Sequence, residues 1–179
     1  MATLTGVTSS TQERHILGPG TVSINDTVIG ATRGGTKVEI IRTFRETRPD
    51  GAKGKIKQAK ELIDASYKVT ARLIEITEEM LTYALAGASV TTHVVTLSDI
   101  ALTDYYAAVQ FDAEMTGITA DDENAGIEIE LTNCLVTGPF VLDLGENGES
   151  VLEMVFEAHF DPDAMTTEPC TITFTPASA

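Results

Sequence analysis

Three histidines, two cysteines and a chain dense in carboxylates are the raw material for chemistry in this sequence. His15, His93 and His159 stand far apart, and none has the HxxxH or HExxH spacing that sets two imidazoles on one helix face around a zinc ion. Ser9-Ser10 lacks the strand, sharp turn and helix that expose a nucleophilic hydroxyl. Gly30-Ala31-Thr32-Arg33-Gly34-Gly35-Thr36 has the glycines of a phosphate cradle, but not the Gly-Lys-Ser/Thr ending, and no helix pattern follows it. It reads as a turn between strands. Asp121-Asp122-Glu123 clusters the hard oxygens that calcium takes, and the stretch from Asp143 to Gly148 opens like a calcium loop. Met154 then stands where that loop needs a bidentate Glu, so a hairpin explains Asn147-Gly148 better. Cys134 and Cys170 have no Cys or His neighbour at metal-ligand spacing and read as small apolar fillers. The expectation is a protein that is not an enzyme and holds neither metal nor cofactor.

Function must then come from surface and shape, and charge is the most informative property of both. All twelve Lys and Arg residues lie between Arg14 and Arg72; residues 1–72 hold seven acids beside them, whereas residues 73–179 hold twenty acids and no base. The formal net charge is −15. Phosphate neutralisation by Lys and Arg supplies most nucleic-acid affinity, so a chain this acidic is a poor candidate for tight nucleic-acid binding. A basic end and an acidic surface on one molecule favour head-to-tail docking of copies. No apolar run approaches the roughly 20 residues of a membrane span. The N-terminus lacks the basic-then-apolar pattern of a signal peptide, so synthesis in the cytosol and no membrane partner are expected.

The elements that must carry these surfaces are mostly strands. At 179 residues and 42% apolar content, a single domain over 1–179 is expected, with an N-terminal arm (1–18) and a C-terminal segment (162–179). Thr21–Ile24 and Thr27–Gly30 flank Asn25-Asp26, residues that tolerate the positive φ of a tight hairpin. Lys37–Arg48 alternates as a strand of about twelve residues, twice the usual length. Residues 48–60 break that pattern with Pro49, two glycines and the cluster Arg48, Lys53, Lys55, Lys57 and Lys60. They form a long basic inter-strand loop. Alternation resumes over 65–76, and Thr77 then caps a short helix with Glu78 and Glu79 in its first turn and Gly87 at its end. Alternating strands return over 105–115 and 127–132. Phe140–Gly145 and Glu149–Phe160 flank Glu146-Asn147-Gly148 as a hairpin, and Thr171–Thr175 closes the chain. The fold class expected is mainly β, a β-sandwich or open barrel with one flanking α-helix. Strands this long leave long edges, which pair readily with another chain.

The run from His15 to Leu85, through GATRGGT, VEI, RPDGAKG, LIEIT and EEML, resembles the major tail tube proteins of long-tailed, non-contractile bacteriophages. The acidic strands and the ENG hairpin after it resemble that family as well, over roughly residues 15–160. The resemblance implies a sandwich whose inner sheets form a β-barrel tube once six copies close into a ring. It implies rings stacked around a tape-measure protein, ended by tail terminator and tail-tip proteins, and conducting DNA without binding it. The virion tail, assembled in the host bacterial cytoplasm, is the implied location. The long loop is the implied contact to the next ring, with Arg48, Asp50, Gly51, Lys53, Gly54 and Lys55 its expected stacking residues.

A conduit for DNA needs a wall that repels phosphate within a Debye length, about 8 Å at physiological salt. Glu128, Glu130, Glu153 and Glu157, on polar faces of long strands, are the lumen-lining candidates. Two alternatives stay open: the inner tube of a contractile tail or phage-like injection system, and a monomeric β-sandwich binding module for glycans or calcium. The second needs an aromatic platform or a full oxygen-ligand loop, and the chain contains no Trp.

Overall fold

A computed structural model describes residues 20–48, 50–51, 53–57, 59–101, 104–114, 126–143 and 150–175. The elements in chain order are β1 (Thr21–Ile24), β2 (Thr27–Val28), β3 (Lys37–Glu46), β4 (Lys60–Leu73), α1 (Glu78–Ala84), β5 (Ala88–Thr91), β6 (Val94–Leu97), β7 (Tyr106–Glu114), β8 (Gly126–Val136), β9 (Leu142–Asp143), β10 (Val151–Ala158) and β11 (Cys170–Thr175). The fold is mainly β with one helix. A nine-stranded antiparallel sheet runs β2-β1-β7-β8-β10-β4-β3, with β11 paired to β8 and β9 to β10, and β5-β6 form a small second sheet. Among the described residues the sheet does not close into a barrel. The segment after β2 does reach β4: Ile74 N–H, just past the strand, donates to Ala31 O, and Arg33 N–H donates to Arg72 O.

Period-two alternation decides which face is buried. In β10, Leu152, Met154, Phe156 and Ala158 point inward; the first three lie opposite Leu73, Ala71 and Val69 of β4, and Ala158 opposite Cys134 of β8. Val22, Ile24, Val109 and Leu131 complete the same core from β1, β7 and β8. Burying such side chains supplies the main drive for folding, about 1.5–3 kcal/mol each. The Asn25-Asp26 turn takes left-handed φ at both residues (47° and 66°), as two-residue hairpins require. β8 departs from strict alternation at Asn133 (φ 51°), and this lets both Leu131 and Cys134 face the core.

The helix starts where its cap was expected, with Thr77 Oγ1 accepting from Met80 N–H at 3.2 Å. Met80 and Ala84 bury against the sheet, and Tyr106 O–H donates to the carbonyls of Thr82 and Tyr83 at the helix end. Gly87, in the left-handed region (φ 73°), follows the C-cap Leu85. Its carbonyl accepts from both the N–H and the hydroxyl of Ser98, which ties the β5-β6 hairpin to the helix. A Cβ at Gly87 would lie 2.7 Å from Ser98 O, so only glycine fits.

Candidate assembly surface

The long hairpin of β3 and β4 is the feature that leaves the core. Near its base Val69 and Tyr67 are buried, but toward the turn every residue of Lys60–Asp64 and of Ile40–Glu46 is exposed. The register shifts between Thr43 and Phe44, where Thr43 faces Asp64 and Phe44 faces Leu62, so Ile63 is an extra residue. Such a bulge bends the ribbon and increases its twist. Ile41 (54%), Phe44 (51%) and Ile63 (56%) are exposed on a ribbon only two strands wide. Lone two-stranded ribbons are marginal in water, so this one has few contacts of its own to hold its apolar side chains. Lys60 Nζ lies 5.8 Å from the Phe44 ring centroid, and Arg45 pairs with Glu61 at 2.6 Å. These contacts stiffen the ribbon without covering it.

At the tip, Thr47 N–H donates to Ala59 O and Ala59 N–H to Ile56 O. The ladder therefore extends past the strand ends, and Lys60, expected in the loop, is the first residue of β4. Arg48, Asp50, Gly51, Lys53, Gly54 and Lys55 are all exposed in the loop. Gly51 has φ 87°, and nothing lies within 4 Å of a Cβ added at Gly51 or Gly54. The six expected stacking residues thus share one outward-facing basic turn.

The four acidic candidates separate into two pairs. Glu128 and Glu130 lie on β8 next to Asp112 and Gln110 of β7, on the face away from the core. Gln110 donates to Glu130 at 3.3 Å and accepts from the Ser23 hydroxyl at 3.3 Å. Burial pushes the Asp112 carboxyl above its ordinary value. No cation among the described residues pairs with Glu128, Glu130 or Asp112. Glu153 and Glu157 on β10 face β4 instead: Arg72 Nε lies 2.8 Å from Glu153, and Lys68 Nζ 3.2 Å from Glu157. The sorting of charge along the chain is therefore undone where β4 meets β10, because a basic strand lies hydrogen-bonded beside an acidic one.

No protein-family model and no curated protein matches this sequence. Solved structures do. The chain is similar to the cryo-EM structure of the anti-feeding prophage cap, a tube-terminating cap, at 13% identity and a TM-score of 0.55 over 98% of this chain and all of that one. It also matches a chain in the virion of the native gene transfer agent particle, at 9% identity and a TM-score of 0.46, over 88% of this chain and 95% of that one. At these identities the likeness to the cap establishes a shared fold.

Several other candidates are placed by the structure. Gly34 and Gly35 take φ of 83° and 82° in the turn before β3, with no helix after them, which fits the turn reading of that segment. His93 stands beside Glu78 at 2.6 Å on the exposed β5-β6 turn, and His159 stacks edge-on against Tyr105. Among the described residues no group of three or more His, Cys, Asp or Glu is placed to hold a metal ion, and no helix is long and apolar enough to cross a membrane. His15, Ser9-Ser10, Asp121-Asp122-Glu123 and Asn147-Gly148 lie outside the described residues. Sequence reasoning missed Glu168, which accepts from both Arg42 and the Tyr67 hydroxyl and so ties the 161–168 segment to the base of the hairpin. Only its position before a short strand marked it.

Proposed function

We propose that this chain is a structural subunit of a bacteriophage-type tail tube. Copies close into hexameric rings, rings stack through the β3–β4 hairpin, and DNA passes down the bore to the host. The observation that carries this reading is the hairpin itself: apolar residues on a two-stranded ribbon, a basic exposed tip, and an acidic body. A monomer gains nothing from such a ribbon, whereas a neighbouring copy can cover it. The fold shared with a tube-terminating cap supports the same class of assembly. The unpaired strip of Asp112, Glu128 and Glu130 is the best candidate for the wall. Glu153 and Glu157 are spent within the subunit, on Arg72 and Lys68.

An acidic wall suits a conduit. Each Lys or Arg contact to phosphate adds attraction through counterion release, and many rings would multiply it into an arrest of passage. Carboxylates leave the DNA free to slide. The tape-measure protein inside the tube and the terminator and tip proteins at its ends are the further partners this reading implies.

Negative-stain microscopy of the purified chain is the test. Tubes of open-ended length support the tube subunit, and a small monomer at every concentration overturns it. A second reading, a tube-terminating cap, is favoured by the end-to-end match to the anti-feeding prophage cap. A cap forms single rings that do not grow. A contractile-system inner tube differs from the first reading by an outer surface that binds sheath, and mixing with sheath protein separates the two.

A further inference from the structure

We propose that the open edge of β11 is where a second copy adds its β3 strand, so that rings close by continuation of the sheet from subunit to subunit. This rests on the ring-forming reading above and names the surfaces that close the ring.

Topology leaves that edge open. β7 occupies one side of β8 over Gly126–Cys134, so β10 and β11 share the other side end to end: β10 at Cys134–Val136, β11 at Gly126–Leu131. β4 runs beside β10 only from Lys68 to Leu73, and its remaining stretch continues with β3 alone. A cleft of about 500 Å³ opens there, between Leu62–Ala65 on one side and Phe160, Met165 and Glu168 on the other. No strand among the described residues pairs with the second edge of β11.

The composition of β11 makes an uncovered edge costly. Cys-Thr-Ile-Thr-Phe-Thr is uncharged, rich in β-branched residues and free of proline, with Ile172 (47%) and Phe174 (52%) exposed. Natural edge strands are blunted by charge, proline or bulges, and this one has none of these. Its proper state is paired.

The long open edge of the large sheet is β3, ten residues that pair only with β4; β2 and β9, which also have one partner each, are two residues long. Two different edges on one molecule make a heterologous contact, and such contacts close into rings when the rotation allows. Length selects β3 as the occupant, and charge agrees. β3 carries Lys37, Arg42 and Arg45 against Glu39 and Glu46, whereas β8 and β11 carry Glu128 and Glu130 and no base. Those two carboxylates sit directly across from Thr173 and Thr171, one strand away from where the incoming β3 would lie. Ile40 and Phe44 of the incoming strand share one face, as Ile172 and Phe174 do, and bring the apolar surface that those two lack.

Complementation between two blocked variants tests this. Ile172→Lys spoils the β11 edge and Ile41→Lys the β3 edge; both positions are exposed, so the melts of both variants should match the parent chain. Each variant alone is expected to sediment as a monomer. Their equimolar mixture is expected to give a one-to-one dimer that grows no further, since each brings one intact edge. Rings formed by Ile172→Lys as readily as by the parent, or a mixture that stays monomeric, overturn the β11–β3 contact while leaving ring formation standing. A parent chain that is itself monomeric at every concentration overturns both. Hydrogen exchange on the parent chain gives a reading that needs no variant. Amides of Thr171–Thr175 should exchange more slowly in rings than in dissociated subunits, and equal exchange in the two states counts against the proposal.

Discussion

Lys68 and Glu157 face each other across β4 and β10, Nζ to Oε1 at 3.2 Å, with the Ser66 hydroxyl donating to the same carboxylate at 3.1 Å. Burial alone would raise the Glu157 carboxyl pKa. The hydrogen bonds from Lys68, Ser66 and Thr137 outweigh it, and the net position is below the ordinary value near 4.5. A depressed folded pKa stabilises the fold fully above that ordinary value, and the stabilisation is lost as pH falls through the folded one. Glu157→Gln is expected to cost roughly 0.5–1 kcal/mol at pH 7, the discounted worth of a pair a quarter to a third exposed. That cost should shrink as pH falls below the ordinary value and the carboxyl begins to protonate. Melting temperatures of variant and parent should therefore converge on acidification, and a constant gap from pH 7 to 3 would contradict the pairing.

Reversing the basic tip separates folding from stacking. Lys53, Lys55 and Lys57 are fully outward, so changing all three to Glu should alter stability by no more than about 0.5 kcal/mol each. The same change sets like charge against an acidic neighbouring ring. Single rings in place of tubes are the expected product. Tubes of normal length from this variant would remove the tip from ring stacking.

The strip on β8 makes a different prediction. Glu128→Lys with Glu130→Lys should leave the fold intact, because neither side chain has an ion-pair partner among the described residues; its tubes are assembled in high salt, which screens the charge these positions show to an incoming β3. The altered wall should now hold DNA, in a salt-dependent way with a slope that grows by about 0.9 for each phosphate contacted. Gel shift of assembled tubes across a salt series measures this. Equal and negligible DNA retention by both forms would place the strip away from the bore.

Where local chemistry and burial agree, the sequence alone reveals the fold. The alternation of Leu152, Met154, Phe156 and Ala158 needed only period two, and Thr77 with Glu78 and Glu79 declared the helix start. The β5-β6 hairpin gave no such sign, because its turn puts Thr92 and His93 at positive φ (51° and 63°), residue types that do not advertise a turn. The first half of β4 was equally silent: it is exposed on both faces and carries a bulge, so neither periodicity nor burial marks it. The basic loop was legible because nothing buries it. Ion pairing of Glu153 and Glu157 was not, since strand order, invisible in composition, sets which acid lies next to which base.

Cys134 supplies a readout of core integrity. Burial first, and then the nearby Cys170, push its thiol pKa up to about 12 from an ordinary 9.0. Burial also raises Cys170, which is only half-buried. At pH 9 about half of an ordinary thiol is ionised, whereas one at 12 is ionised in about one molecule in a thousand. A raised folded pKa means that the fold keeps its full contribution below pH 9 and loses it as pH climbs toward 12. Iodoacetamide at pH 9 should therefore modify Cys170 slowly and leave Cys134 untouched until denaturant opens the core. Phe156→Ala tests the same core from the other side. Phe156 is fully buried and packs edge-on against Tyr106, so its truncation should cost about 3–5 kcal/mol and let Cys134 react without denaturant. Rapid labelling of Cys134 in the parent chain, read by mass spectrometry of its peptide, would show that this part of the core is open.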